Sequence, residues 1–100
     1  MYARVAHWEG AEAETLRRTA EMMNKAEGPP PGVPASGVMV LGDPDTGRSI
    51  VIGLFETEED MRKGHEALDA MTPEADGDGR RTSVEMLQVM VDRRIDSAPA

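Results

Sequence analysis

The sequence predicts an α+β fold with the element order β-α-β-β-α-β. Three observations carry this. Residues 36–56 read as two apolar strands around the turn "DPDTG". Two stretches, 11–27 and the one opening at Thr57, repeat apolar residues at helical spacing. Residues 2–8 and 82–92 are rich in strand-forming residues and frame the rest.

The first strand, "YARVAHW" (2–8), puts Tyr2, Arg4, Ala6 and Trp8 on one parity and Ala3, Val5 and His7 on the other. Gly10 breaks the run. In the helix expected over 11–27, Ala13, Leu16, Ala20 and Met23 form one apolar stripe. Glu14/Arg18, Arg17/Glu21 and Glu21/Lys25 stand at i, i+4 spacing on the other side. "EGPPPG" ends it: Gly28 can take positive φ, and three prolines cannot continue a helix.

The hairpin strands are 36–42, "SGVMVLG", and 48–56, "RSIVIGLFE". In the turn between them Asp caps, Pro fixes φ and Gly takes the left-handed position. Both strands are apolar on both faces, so both faces of the sheet are expected to be covered. Thr57 caps the second helix, whose first turn holds Glu58, Glu59 and Asp60 beside the free N–H groups. Met61, His65, Leu68 and Met71 or Thr72 follow at helical spacing, with Glu58/Arg62 and Glu59/Lys63 opposite and Pro73 as the stop. "EADGDGRR" (74–81) reads as a loop, 82–92 as the last strand and 97–100 as a frayed tail after one domain over 1–96.

Four antiparallel strands carrying two helices on one face make the ferredoxin-like, split βαβ arrangement. The second face would be apolar and bare in a single chain. A second copy is the expected cover, giving a two-fold homodimer with sheets face to face.

Composition narrows the partners. The net charge of −8 disfavours nucleic acid and anionic membrane surfaces. The absence of cysteine excludes disulfides, thiolate catalysis and Cys-based metal sites. No apolar run approaches the roughly 18 residues of a membrane span. "MYARVAHWEG" lacks the pattern of a signal peptide, so a cytoplasmic protein is the default expectation. Eight Met against three aromatic residues suit an adaptable core or an irregular pocket.

With "MYARV" and "WEG" around the first strand, "PPGV" before the hairpin, "DPDTGRSIVIGLFETEEDM" across hairpin and cap, and "SVEMLQV" at the close, the chain resembles the antibiotic-biosynthesis-monooxygenase-like superfamily of dimeric α+β barrels. The likeness covers about residues 1–93. It implies a tight dimer with a pocket between sheet and helices in each subunit. Members of that group include cofactor-independent monooxygenases of flat phenols or quinols, haem-degrading proteins, and proteins of no known activity. Active members carry a Trp at the end of the third strand, where this chain has Phe55, and often an Asn on the first strand, which falls near Ala6 or His7 here. Haem-degrading members bind iron through a His on the second helix, the helix that carries His65.

The candidate catalytic residues are His65 and His7. His65 shares a helix face with Met61 and Leu68, and imidazole titrates in the working range of a general base. It also reads as a half-buried histidine bonded to a carbonyl or water, or as a haem ligand. His7 would matter if it shared a pocket with His65; otherwise it is an edge or interface residue. The candidate pocket residues are Phe55, Trp8, Arg4, Met61 and Leu68. Phe55 reads as an aromatic wall or as core. Trp8 reads as a ligand platform or as packing at the dimer seam or a helix end. Arg4 reads as an anchor for an anionic or phenolate group, or as half of an interface salt bridge. "DGDG" (76–79) lacks the distal Glu of a calcium loop and reads as plain loop. "GPPPG" reads as a helix stop.

The expected protein is thus a homodimer with a small aromatic ligand and no resident cofactor or metal. Whether it oxidises that ligand with O2, only binds it, serves as a structural dimer or binds haem stays open at this point.

Overall fold

In the computed structural model, which describes residues 1–70, 79–93 and 95, β1 (Tyr2–Glu9) is an inner strand of one four-stranded sheet. The sheet order is β2-β3-β1-β4, with β2 at Gly37–Asp43, β3 at Arg48–Phe55 and β4 at Arg80–Gln88. Every pairing is antiparallel. Helices α1 (Ala13–Lys25) and α2 (Glu58–Ala70) complete the βαββαβ order of a ferredoxin-like fold.

The register sorts side chains between the two faces. Tyr2, Arg4, Ala6 and Trp8 share the helix-covered face with their partners Phe55, Gly53, Val51 and Ser49 on β3. Ala3, Val5 and His7 share the opposite face with Leu54, Ile52 and Ile50. The core lies under α2, where Phe55, Val33 and Met61 pack together with Tyr2, Ala67 and Leu68 around them. Phe55 is wholly enclosed. Gly64 lets the helix come this close: a Cβ there would stand 2.6 Å from the Phe55 Cζ.

Local chemistry sets the ends. The Thr57 hydroxyl accepts from the Asp60 N–H at 3.0 Å, the side-chain cap that satisfies a free donor of α2. In the hairpin turn the Asp43 carboxylate accepts from the Asp45 N–H at 3.0 Å, and Gly47 takes φ +74°.

Several element ends shift from the sequence expectation by one to four residues. The first helix stops at Lys25, where Ala26 turns extended at φ −68°, and Gly28 is not among the positive-φ residues. The last strand runs two residues earlier than 82–92, because Arg81 and Arg80 pair with Trp8 and Glu9. It ends at Gln88 because β1 begins at Tyr2, and the Val89 N–H to the Met1 carbonyl is the last bond available. A bulge opposite His7 and Trp8 absorbs the added length. The single chain covers one face of the sheet only: Met39, Leu41 and Leu87 stay 42–49% exposed on the other. The Met71, Thr72 and Pro73 readings, most of the 74–81 loop and the 97–100 tail lie outside the described residues. No helix among the described residues is long and apolar enough to cross a membrane.

Candidate functional site

Between the sheet and the C-terminal end of α1 lies a cleft of about 560 Å³. Its floor is Arg4, Val51 and Gly53 of the two inner strands. Met22 and Met23 of α1 form one wall and Leu68 of α2 the other, while the chain from Glu27 to Gly37 closes one end. The lining is overwhelmingly apolar. Gly53 stands directly across the ladder from Arg4, and the Phe55 ring takes the space a Cβ there would fill, its Cε2 3.2 Å away.

Arg4 is the unusual residue. It is 5% exposed, deeper than any other charged residue described. Its Nε donates to the Nδ1 of His65 at 3.0 Å. An Nδ1 that accepts puts the His65 proton on Nε2. Among the described residues no carboxylate stands within ion-pair distance of Arg4. The nearby Asp69 is engaged by Arg81, which ties α2 to β4. Burial pushes the Arg4 guanidinium below its ordinary range, the Arg81 cation adds to this, and Asp69 works against it. The Arg81 hydrogen bond and charge hold the Asp69 carboxyl below its ordinary value, with small help from His65 and Arg4.

No buried side-chain nitrogen or oxygen among the described residues lacks a partner. Among the described residues the terminal nitrogens of Arg4 make no side-chain hydrogen bond or ion pair, and Arg4 is one of the residues that line the cleft.

The residues singled out from the sequence separate. Arg4 and Leu68 line the cleft, and His65 reaches it only through Arg4. His65 is half-buried on α2 and outside the cleft wall. His7 does not share a pocket with His65: it lies on the opposite face of the sheet, its Nε2 3.0 Å from the Glu85 carboxylate. Strand alternation forces this, since Arg4 and His7 are three residues apart. Phe55 and Met61 are core rather than pocket wall. Trp8 is half-buried on the helix face beside Ser49 and Arg81, outside this cleft.

Sequence reasoning passed over Met22, Met23 and the proline run as a wall. The signal was there: two adjacent methionines stand in the last turn of a helix, three residues before "EGPPPG", and Met adapts to an irregular surface. The donor geometry does not fit a haem seated in the cleft, because His65 lies outside it with Nδ1 committed to Arg4. No protein-family model, curated protein or solved structure matches the chain.

Proposed function

We propose that the protein is a dimeric α+β barrel of the antibiotic-biosynthesis-monooxygenase-like type whose cleft binds a small, flat, largely apolar molecule. The observation that carries this reading is the cleft itself: about 560 Å³, walled by Met, Val and Leu, with a single buried polar group on its floor. Concave, mostly apolar sites with few convergent polar groups are where proteins hold small ligands.

The dimer reading rests on the open face. Met39, Leu41, Ile50, Ile52, Leu54 and Leu87 lie on its parity, a contiguous apolar surface with the His7–Glu85 pair beside it. Past β4, Met90, Val91 and Ile95 are each more than 80% exposed. A second copy of the same chain buries both.

Two measurements test this. Sedimentation equilibrium is expected to give a dimer that Ile52→Lys dissociates; a monomer at micromolar concentration refutes the dimer. A neutral fluorescent probe, N-phenyl-1-naphthylamine, is expected to bind, and Val38→Trp at the exposed mouth of the cleft to displace it. No binding, or binding indifferent to Val38→Trp, refutes the ligand site.

A second reading is cofactor-independent oxidation of a flat phenol or its keto form, and the buried cation favours it. An arginine in an apolar cleft stabilises the anion that O2 attacks. The balanced reaction turns a ring CH2 into C=O, with one atom of O2 in the product and the other in water. Oxygen uptake with anthrone, lost in Arg4→Met, would establish it; no uptake leaves the binding reading alone. The cleft presents no side-chain base beside its ligand space except the exposed Glu27, so binding ranks first.

A further inference from the structure

We infer that the cleft's ligand is a monoanion, a carboxylate on a flat apolar body, held end-on by the terminal nitrogens of Arg4. The inference rests on the cleft being a ligand site and adds the chemical class of what enters it.

Three observations converge on Arg4. It is more than nine-tenths buried and lines the cleft. It has no carboxylate partner among the described residues, and its neighbouring cation, Arg81, is itself engaged by Asp69. Its Nε is committed to His65. A buried cation without a counter-charge is costly, and proteins place one where an anion is to be received.

The geometry then selects among anions. A guanidinium can grip two oxygens along its Nε edge or along the edge formed by its two terminal nitrogens. His65 takes the first edge, which leaves the second. That edge matches the two coplanar oxygens of a carboxylate. His65 is therefore a positioning residue: its Nδ1 fixes the plane of the guanidinium, and in the inferred pose the free edge meets the ligand. Glu27 also lines the cleft, but it is exposed and water-screened. Arg4 is the one cation among the lining residues, so it matches a single negative charge on the ligand. The apolar walls accommodate the rest of the molecule.

The test compares matched probes by calorimetry on the full chain: 2-naphthoate, 2-naphthylmethanol and a nitro-substituted naphthol ionised at neutral pH. Wild-type protein is expected to bind naphthoate about 10- to 100-fold more tightly than the alcohol, the range of a charge-assisted hydrogen-bond pair. Arg4→Met is expected to bring that ratio close to one while keeping the alcohol's affinity. Arg4→Lys, with charge but no planar fork, is expected to recover only part of the preference. In His65→Ala the preference is expected to weaken through the acid alone, a split that general loss of structure would not produce. Val38→Trp is expected to weaken all probes together.

Equal affinity for acid and alcohol in wild type, or a preference that survives Arg4→Met, overturns the anion inference and leaves the cleft reading standing. Tighter binding of the naphtholate than of naphthoate overturns the carboxylate assignment. Failure of every probe to bind wild type overturns the cleft reading and this inference with it. The wild-type ratio decides the matter even if Arg4→Met does not fold.

Discussion

The two helices cover the same face of the same sheet, and they do so differently. α2 sets Met61 and the bare backbone of Gly64 against the enclosed ring of Phe55, and ties itself to β4 through Asp69 and to β1 through His65. α1 has no buried residue at all. Its stripe of Ala13, Leu16, Ala20 and Met23 is only half-covered. Similar amphipathic sequences thus produce one helix that seals and one that stands off. The difference lies in what each strand offers. β3 supplies a Phe where α2 crosses, while the floor facing the end of α1 is Gly53 and Val51. A packed half holds the fold, and a loosely packed half leaves the cleft open.

Substitutions on the two sides should break this contrast in order of size. Phe55→Ala removes the one large side chain wholly enclosed among the described residues and is expected to lose about 3–5 kcal/mol in urea unfolding, enough to leave the domain marginal. Gly64→Ala sets helix propensity, worth about 1 kcal/mol, against overpacking of about 1–3 kcal/mol. With the Phe55 Cζ 2.6 Å from the new Cβ and the ring sealed on all sides, the clash wins. The expected net loss is about 1–2 kcal/mol; a stabilised variant would mean α2 is free to shift. Leu16→Ala, the equivalent truncation under α1, is expected to cost about 1 kcal/mol or less, since the side chain is half-exposed beside Gly42. A loss near that of Phe55→Ala would abolish the contrast.

The smallest effect is a pH dependence. The folded-state pKa of Asp69 is lowered by Arg81. The stabilisation is therefore complete above the ordinary carboxylate range and lost as pH falls from that range through the lowered folded value. Because the Asp69 side chain is half-exposed to water, the difference should show only as a slightly shallower acid-unfolding curve in Asp69→Asn.

The fold was legible because its signals are local. The turn at 43–47, the cap at Thr57 and the alternation of 2–8 each depend on neighbours a few residues apart. The strand order follows from the known ways of closing such a set. What the sequence hid was long-range. The parity that groups Arg4 with Tyr2, Ala6 and Trp8 is visible, but not that this parity faces the helices, nor that His65, 61 residues away, meets the Arg4 Nε. Phe55 read as wall or as core because Gly64, across the gap, decides it. The cleft is shaped by side chains that are missing or small, and an absence has no periodicity to detect.

The junction before α1 gives the loosely held helix a mechanical character. Gly47 at φ +74° and Gly79 at φ +85° both press on it: a Cβ on the first would stand 2.6 Å from the Ala11 carbonyl oxygen, and on the second 2.6 Å from that of Glu9. The Ala11 N–H also bonds to the Gly47 carbonyl at 3.1 Å. One end of α1 is thus pinned by backbone from two other loops, while its far end, Met22 to Ala26, borders the cleft. A rod of thirteen residues is about 20 Å long. Rotated about ten degrees on a fixed pivot, its tip sweeps about 3 Å, close to the thickness of an aromatic ring. The width of the cleft at that end is therefore geometrically tied to the tilt of α1 about its pinned end.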